Sequence, residues 1–427
     1  MTHALASLRQ CRALPSGLHE CPTSLRWLVV ALIPLSVLCG PAWADNGADC
    51  AQSADVDLAI TACTALIAKS PASALAYTNR GTAYLSKHDP ARALSDYTSA
   101  IQADPQYVDA YIGRGAAYEQ NGDTDTAIAD YQAAIAINPK SALAYTNLGN
   151  AFYGKKDLVG AMKYYDLAIG VDGKFVDALM GRGRAYEDRG DHDLAIRDFD
   201  KVITLNPHYE NVHLERGFSL DNKGEQDLAI AEYDKAIDDN AADEVAYNNR
   251  GFVYFKQHNY RRAITNYTQA IKLKDKFILA RINRANAYNQ SGDHDSAIAD
   301  YNTVIELDPA NSDAFTGRAQ AFDDLNQRQE AIADYAKAIA IDPKNARALN
   351  NCAWNLYESG QSAQAIGDAE KAVSLEPNES DYFDTRGHIY EALGRRDEAI
   401  SDYRKALQLD PKQTGSDEGL KRLGQSR

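Results

Sequence analysis

Hydrophobic and polar positions along most of this chain follow the period of a helix. In residues 74–107, small and aromatic side chains recur at intervals of three and four residues, which is the spacing of one helix face and not of a strand. The same arrangement returns every 34 residues, in ten copies that run to Pro411. The pattern therefore predicts an all-helical chain built from repeated copies of one unit.

Two positions in every copy hold only small residues. The eighth position is Gly in seven copies and Ala in three, and the twentieth position is Ala in all ten. Small side chains on facing helices let two helix axes approach, and the aromatic residues common at the eleventh and twenty-fourth positions fill the space beside them. We therefore expect tight packing between the helices of each copy.

This period, with small residues at fixed offsets and a Pro that closes seven copies, resembles the tetratricopeptide repeat. The resemblance implies an all-α fold, a right-handed α-solenoid (superhelix) of about ten tetratricopeptide helix-turn-helix repeats. Its stability would be a sum of contacts between neighbouring repeats. The predicted segments are a signal peptide at 1–44, an N-terminal cap with a partial repeat at 45–73, ten repeats at 74–411 and a C-terminal capping helix at 412–427.

The turn between the two helices of a copy carries its own sequence mark. Six copies have Gly there, which predicts a left-handed residue at the end of the first helix. Asp residues nearby are expected to cap the second helix. The six residues are Gly122, Gly190, Gly224, Gly292, Gly360 and Gly394.

A row of Arg residues occupies the seventh position of eight copies and could suggest an anionic ligand. The twenty-third position supplies an acid in most of the same copies, and the third copy lacks both members. This joint loss favours a structural ion pair between two helices over a ligand site. The row consists of Arg80, Arg114, Arg182, Arg216, Arg250, Arg284, Arg318 and Arg386.

The first 44 residues have the features of an export signal. A region with three Arg precedes an apolar run from Trp27 to Cys39, and Ala42-Trp43-Ala44 forms a cleavage site of the small-x-small kind. A membrane anchor is the competing interpretation, but the run is short for a bilayer span. We expect a periplasmic or secreted protein that starts near Asp45 and has no stable membrane span after cleavage.

Cleavage would leave three cysteines, Cys50, Cys63 and Cys352. Residues 55–71 read as the second helix of an incomplete copy, in which Cys63 replaces the usual aromatic residue. An oxidising compartment would permit a Cys50–Cys63 disulfide that fixes the leading segment to this cap. Two unpaired thiols are the alternative, because sequence alone does not give connectivity.

The charge of the chain and its lack of catalytic motifs exclude several functions. The formal charge is −15, and removal of a leader with three Arg and one Glu makes it −17, which argues against a nucleic-acid partner. Asp-x-Asp turns such as Asp123/Asp125 lack the further ligands of a calcium loop. No phosphate loop, nucleophile with its base or zinc spacing occurs. We expect no catalytic, cofactor-binding or metal-binding residues, and no enzyme.

Resemblance to the tetratricopeptide family implies that ligands contact the concave groove at the second, fifth, sixth, ninth and twelfth positions of each repeat. Asn occupies the sixth position in five copies and can both donate to and accept from a peptide backbone. Solvated polar residues, and Phe side chains that pack on the next copy, are the alternative interpretation. The predicted groove residues are Asn79, Asn147, Asn248, Asn249, Phe252, Phe255, Asn283 and Asn351.

Residues 256–284 reverse the acidic balance of the chain, with a single acid, Asp275, among many cations. A docking site for an acidic partner segment and simple pairing with nearby acids such as Asp243 and Glu244 are both compatible with this run. The predicted basic patch consists of Lys256, Arg261, Arg262, Lys272, Lys274, Lys276 and Arg281.

Taken together, these features predict a non-enzymatic scaffold or adaptor that binds a protein or peptide in the groove of its repeats. The alternative is a structural or assembly accessory of an envelope complex, for secretion or polysaccharide export. The partner and the oligomeric state are left open by the sequence.

Overall fold

The structure, a computed structural model, describes residues 49–50 and 55–426. Helices of 9 to 14 residues make up most of this part of the chain, and it contains no strand. Every helix in it is too short or too polar to cross a bilayer. The helices are α1 Val56–Lys69, α2 Ala74–Ser86, α3 Pro90–Ala103, α4 Val108–Gln120, α5 Thr124–Ile137, α6 Ala142–Gly154, α7 Leu158–Val171, α8 Val176–Arg189, α9 His192–Leu205, α10 Val212–Lys223, α11 Gln226–Asp239, α12 Glu244–Lys256, α13 Tyr260–Leu273, α14 Ile278–Ser291, α15 His294–Leu307, α16 Ser312–Asp324, α17 Arg328–Ile341, α18 Ala346–Glu358, α19 Ser362–Leu375, α20 Ser380–Ala392, α21 Arg396–Leu409 and α22 Thr414–Arg422.

Each copy of the sequence repeat forms two of these helices, from α2–α3 in the first copy to α20–α21 in the tenth. The first helix of each copy starts at the first residue of that copy in nine of the ten, the exception being α10. Helix α1 corresponds to a second helix placed before the first copy, and α22 to a first helix placed after the tenth. The predicted all-α repeat fold is confirmed.

The chain divides into two compact units, whose described parts are residues 49–50 with 55–232 and residues 233–426. The boundary lies within α11. Each unit has its own series of small hydrophobic clusters between consecutive helices, such as those around Tyr131 and Phe199 in the first unit and around Tyr301 and Tyr335 in the second. Neither unit depends on a single central core.

Small residues and aromatic rings form the core of each repeat. All ten Ala residues at the twentieth position are completely buried. A Cβ added to Gly115 would lie 2.6 Å from Cε1 of Tyr131, and one added to Gly183 would lie 2.6 Å from Cε1 of Phe199. Since these separations are below van der Waals contact, the ring at the twenty-fourth position in these copies packs directly on the backbone of the Gly opposite it. The predicted close packing is confirmed.

The turn inside each repeat always places its fifteenth residue in the left-handed region. The six Gly residues predicted there have φ between +74° and +88°. In the other four copies the same position is a residue with a side chain, and its φ is also positive. These four are His88, Lys156, His258 and Asn326.

Asp side chains cap several second helices, as predicted, and Asn259 does the same for α13. The carboxylates of Asp89, Asp123 and Asp157 accept from backbone N–H groups in the first turns of α3, α5 and α7. Asp191 precedes α9 but makes no such bond, and its carboxylate pairs with Arg189. The capping hydrogen bond is therefore present in some repeats and absent in others.

Candidate functional site on the first helices

The side chains at the second, fifth, sixth, ninth and twelfth positions of each copy lie along one side of its first helix, and we call this surface the first-helix face. Their spacing of three, one, three and three residues puts them on neighbouring turns. In the unit of residues 55–232 the face belongs to α2, α4, α6, α8 and α10. In the unit of residues 233–426 it belongs to α12, α14, α16, α18 and α20.

The Arg row does not lie on this face, because its guanidinium groups pair with second helices. In Arg114, Nε lies 2.8 Å from Oδ2 and Nη2 lies 2.7 Å from Oδ1 of Asp130, and this hydrogen bonding raises the pKa of the Arg114 guanidinium. Arg250 instead donates from Nε to Oδ1 of Asn266 over 2.8 Å. The predicted structural pairs are confirmed, and they are Arg80–Asp96, Arg114–Asp130, Arg182–Asp198, Arg216–Glu232, Arg284–Asp300, Arg318–Asp334 and Arg386–Asp402.

Copy nine replaces the Arg with Cys352, a buried free thiol that lies beside Asp368. Burial and the neighbouring carboxylate raise the pKa of Cys352 to about 12. A thiol with so high a pKa stays protonated and is a poor nucleophile. Cys352 is therefore a packing residue.

The sixth position, where Asn was predicted to meet a partner, borders the preceding repeat. A Cβ added to Gly113 would lie 2.3 Å from the ring of Tyr97. Asn351 donates from Nδ2 to the hydroxyl of Tyr335 over 3.4 Å. A residue at this position therefore packs on the aromatic ring of the repeat before it as well as facing outward.

The predicted groove Asn residues differ in how much surface they present. Asn147 and Asn248 are 6% and 4% exposed, so they offer little area to a partner. The partly exposed ones are Asn79, Asn249, Asn283 and Asn351.

Helices α12 and α14 carry the most amide-rich part of the face. Nδ2 of Asn283 donates to Oδ1 of Asn248 over 3.0 Å, and Nδ2 of Asn248 donates to Oδ1 of Asn249 over 3.2 Å. The chain of amides ends at Nδ2 of Asn249, which has no acceptor among the described residues. Phe252 and Phe255 follow on α12 and are partly exposed. We call these five residues the amide–aromatic patch.

Two further Asn residues extend this surface on α14. Oδ1 of Asn286 accepts from the hydroxyl of Tyr301 over 2.6 Å, and Oδ1 of Asn289 lies 2.9 Å from Nδ1 of His294. Because their oxygens are engaged, the Nδ2 groups of both amides are left to donate elsewhere. The surface of α14 therefore offers two amide donors beside the amide–aromatic patch.

The basic residues of 256–281 form two groups, not the one patch expected from the sequence. The first group lies around the turn from α12 to α13, and the second around the turn from α13 to α14. Ten residues of helix separate Arg262 from Lys272, which is about 15 Å along the axis. The first group is Lys256, Arg261 and Arg262, and the second is Lys272, Lys274, Lys276 and Arg281.

Nearby acids neutralise part of the second group. Nζ of Lys274 lies 3.3 Å from Oε1 of Glu244, and Nη2 of Arg281 lies 2.7 Å from Oδ1 of Asp275. Lys272 and Lys276 are exposed. Pairing with neighbouring acids thus accounts for two of its four cations.

Cys50 and Cys63 lie together at the start of the described chain. Their Cα atoms are 4.7 Å apart and their Sγ atoms are within bonding distance. Both side chains are buried against Ala62 and Ala76. This geometry permits the disulfide that the sequence suggested.

The described residues contain no group of three His, Cys, Asp or Glu side chains that could hold a metal ion.

Family models of the tetratricopeptide repeat cover most of the chain. One matches residues 51–108, 78–142 and 112–174, a second matches 176–209, 245–277 and 385–413, and a third matches 312–345. A model described as TPR repeat matches 222–258 and 285–325. The chain belongs to the tetratricopeptide repeat family.

Solved structures with a similar tetratricopeptide arrangement include yeast Tom70, at 16% identity and a TM-score of 0.47, with 86% of this chain and 91% of that chain covered. YrrB, described as a TPR protein with an unusual peptide-binding site, is 20% identical, with 44% and 97% covered and a TM-score of 0.37. MamA is 27% identical, with 37% and 93% covered and a TM-score of 0.34. No curated protein matches the chain.

One feature of these tetratricopeptide repeats escaped the sequence analysis, namely the reach of the buried Tyr hydroxyls. The rings at the twenty-fourth position were expected only to fill space, yet their hydroxyls extend to the first-helix face. Tyr131 donates to Oε2 of Glu119 over 2.7 Å, and Tyr165 donates to Oδ1 of Asn150 over 2.7 Å. A sign of this was present in the sequence, because these Tyr residues coincide with a polar residue at the ninth or twelfth position.

Proposed function

We propose that this protein is a non-enzymatic scaffold or adaptor that binds a protein or peptide through its first-helix face. The observation that carries the proposal is the amide chain of α12 and α14, which ends in Nδ2 of Asn249, a donor without an acceptor in the part of the chain that the structure describes. Amide donors held in place by their neighbours suit the carbonyl groups of an extended peptide. Phe252 and Phe255, beside them, supply apolar contacts for its side chains.

We infer further that the segment bound at α12 and α14 carries acidic side chains. The surface offers amide donors, and Lys256 lies with Nζ 5.0 Å from the centre of the Phe252 ring. Lys272 and Lys276 add positive charge in an otherwise acidic protein. Such cations would speed the approach of an acidic segment more than they would slow its release.

Export to the periplasm or beyond is part of the proposal. The features of residues 1–44 support it, although these residues lie outside the described part of the chain. We propose that Cys50 and Cys63 are bridged in that compartment. A loop of this length contributes roughly 3 kcal/mol to stability by restricting the unfolded chain.

A photo-crosslinker tests the binding surface. The full-length protein, exported by its own cells, would carry benzoylphenylalanine in place of Phe252, with a matched control at the exposed Thr265 on α13. We expect adducts from the Phe252 position and none from Thr265. Equal adducts at both positions, or none at Phe252, would contradict binding at α12 and α14.

The same experiment separates the adaptor from an envelope accessory. A transient client gives adducts only after irradiation and at less than one per scaffold. A component of a secretion or polysaccharide-export complex would instead co-purify in fixed stoichiometry before irradiation.

A further inference from the structure

Aromatic side chains gather on the first-helix face of α18 and α20, away from the amide–aromatic patch. The ring centre of Trp354 lies 5.3 Å from that of Tyr357 and 5.6 Å from that of His388, which it meets edge to face. Trp354 and Tyr357 are partly exposed, whereas His388 is buried against Tyr403. We call Trp354, Tyr357 and His388 the Trp354 cluster.

Acidic residues lie at the ends of three consecutive first helices, and two of them, Glu358 and Glu391, interact electrostatically with Tyr357 of this cluster. Asp323 and Asp324 end α16, Glu358 ends α18, and Glu391 lies in the last turn of α20. Glu358 is paired with Arg328 over 3.0 Å and Glu391 with Arg422 over 2.9 Å. These two acids therefore already have a cation.

Neither Asp323 nor Asp324 forms a close ion pair with Lys or Arg within the described part of the chain. Asp323 accepts a hydrogen bond from Asn355 and interacts electrostatically with Arg328, and Oδ2 of Asp324 lies 3.8 Å from Nδ1 of His294. Burial raises the pKa of both carboxyls. A carboxylate that is partly desolvated gains more from a bound cation than an exposed one does. Arg347, the Arg on the face of α18, lies about 10 Å from Trp354 along the helix.

A buried acceptor on the same helix also lacks a donor. Asn350 is 7% exposed, and its Oδ1 has no hydrogen-bond partner within the described chain. Its Nδ2 donates to Oδ1 of Asn351 at the sixth position, which places the amide on the first-helix face. Asn350 precedes Trp354 by four residues and so lies one turn from it. The first-helix face of α18 therefore contains an unsatisfied acceptor one turn from the residue that carries the indole ring.

We propose that the Trp354 cluster and the adjoining helix-end acids bind a Lys or Arg side chain of an extended partner segment. An ammonium or guanidinium group over an indole face is favoured by the ring quadrupole, and carboxylates nearby add to that attraction. This proposal rests on the proposed function, since it assigns the chemistry of one more contact on the same face.

The same positions on α12 and α14 would not attract a cation. There the ninth, twelfth and thirteenth positions are Phe252, Phe255 and Lys256 on one helix, followed by two Asn residues and a Gln on the other. The unit of residues 233–426 therefore pairs a donor-rich surface with an acidic, aromatic one. A single ligand with an acidic stretch and a basic residue would match both.

Tryptophan fluorescence reports on this site directly. The chain has three Trp residues, so the full-length protein with Trp27→Phe and Trp43→Phe retains only Trp354. The probe is a short peptide of alternating lysine and glycine, compared with the same peptide acetylated at every lysine and with a glutamate–glycine peptide. We expect a saturable change in Trp354 emission with the lysine peptide alone, and a weaker one at high salt.

Variants measured by anisotropy of a labelled lysine peptide complete the test. Trp354→Leu should weaken binding about two- to thirty-fold, the range of a cation–π contact. Asp324→Asn keeps the side-chain shape and should reduce both affinity and its salt dependence. Thr265→Ala, at an exposed position on α13 outside the first-helix face, is the control and should leave lysine-peptide binding unchanged.

Two results would overturn the inference. One is an equal response to the acetylated peptide, and the other is wild-type affinity in both Trp354→Leu and Asp324→Asn. Crosslinking at Phe252 without lysine-peptide binding would defeat this inference alone. Lysine-peptide binding without that crosslink would defeat the α12–α14 assignment and leave the Trp354 site standing.

Discussion

The seventh-position Arg side chains matter for the stability of their own repeats. Removing Arg114 leaves Asp130 buried without its partner, and removing Asp130 does the same to Arg114. We expect Arg114→Ala and Asp130→Ala each to lower the free energy of unfolding by roughly 3 kcal/mol. The double variant should lose less than the sum of the two. Urea unfolding of the three variants measures this coupling.

An exposed pair provides the control for that cycle. Nζ of Lys87 lies 2.6 Å from Oδ1 of Asp57, but both side chains are well exposed. Lys87→Ala should therefore cost no more than about 1 kcal/mol. Strictly additive costs at Arg114 and Asp130 would mean that the two residues act independently, against the ion-pair interpretation.

Glu119 gives the stability a pH dependence that can be assigned to one carboxyl. Burial raises its pKa from 4.5 to about 7, although the hydrogen bond from Tyr131 acts in the opposite direction. The folded state therefore favours the protonated carboxyl of Glu119. The stability that this preference contributes is fully present below about pH 4.5 and is lost as the pH rises through 7. We expect the wild-type protein to lose stability between pH 5 and pH 8, and Glu119→Gln to lose less.

The midpoint of urea unfolding at the two pH values tests this expectation. Glu391 is a suitable control, because its burial is outweighed by hydrogen bonds from Arg422 and Tyr403, which lower its pKa. The contribution of Glu391 to stability changes only below about pH 4.5. Glu391→Gln should therefore show the same loss of stability as the wild type between pH 5 and pH 8. An unchanged loss in Glu119→Gln would assign the pH dependence to other groups.

In the turn between the two helices of each repeat, the left-handed conformation restricts which residue types are favourable. Lys156 has φ of +63° at the position where six copies have Gly. A side chain in this region destabilises the folded state by about 1–2 kcal/mol. Gly removes this cost, but Gly also loses more conformational entropy on folding, which offsets part of the gain. Lys156→Gly should therefore raise the free energy of unfolding by about 0.5–1 kcal/mol. Thermal or urea unfolding of the variant measures the gain.

The neighbouring residue is the matched control for this turn. Lys155 has φ of −77°, which any residue adopts. Lys155→Gly gains no relief of strain and should lower stability by about 0.5–1 kcal/mol. Equal effects of the two substitutions would show that the left-handed conformation at Lys156 carries no cost.

The sequence predicted contacts within one copy better than contacts between neighbouring copies. The Arg114–Asp130 pair was visible because its two positions vary together among copies, and the turn Gly residues because positive φ restricts residue type. The packing role of the sixth position was not visible in the sequence, because its packing partner belongs to the preceding copy, as Gly113 against Tyr97 shows. Contacts between copies have no fixed signature inside one repeat.

Charge was harder to interpret than packing, for a geometric reason. A run of cations in sequence becomes one surface only if the chain turns back on itself, and α13 instead carries Arg262 and Lys272 to opposite ends. The acids around Trp354 show the reverse case. Asp323, Glu358 and Glu391 lie far apart in sequence, yet each ends or nearly ends a first helix, so the repeat brings them to one edge.

For the molecule as a whole, the redox state of Cys50 and Cys63 depends on the compartment, and it decides whether the leading segment is covalently tied to α1. If the chain is exported and its first 44 residues are removed, three cysteines remain. A bridge between Cys50 and Cys63 then leaves Cys352 as the single thiol. We expect one thiol per chain when protein from the periplasm is unfolded without reductant, and its mass should show a start near Asp45. Thiol titration in denaturant measures this directly.

Two variants make the thiol count specific. Cys352→Ser should leave no titratable thiol, and Cys50→Ser should expose Cys63 and give two. Cys50→Ser should also lower the free energy of unfolding by up to about 3 kcal/mol, because the leading segment is no longer tied to α1. Three thiols in the cleaved wild-type protein would exclude the bridge while leaving export intact. An uncleaved chain with every cysteine reduced would count against export itself.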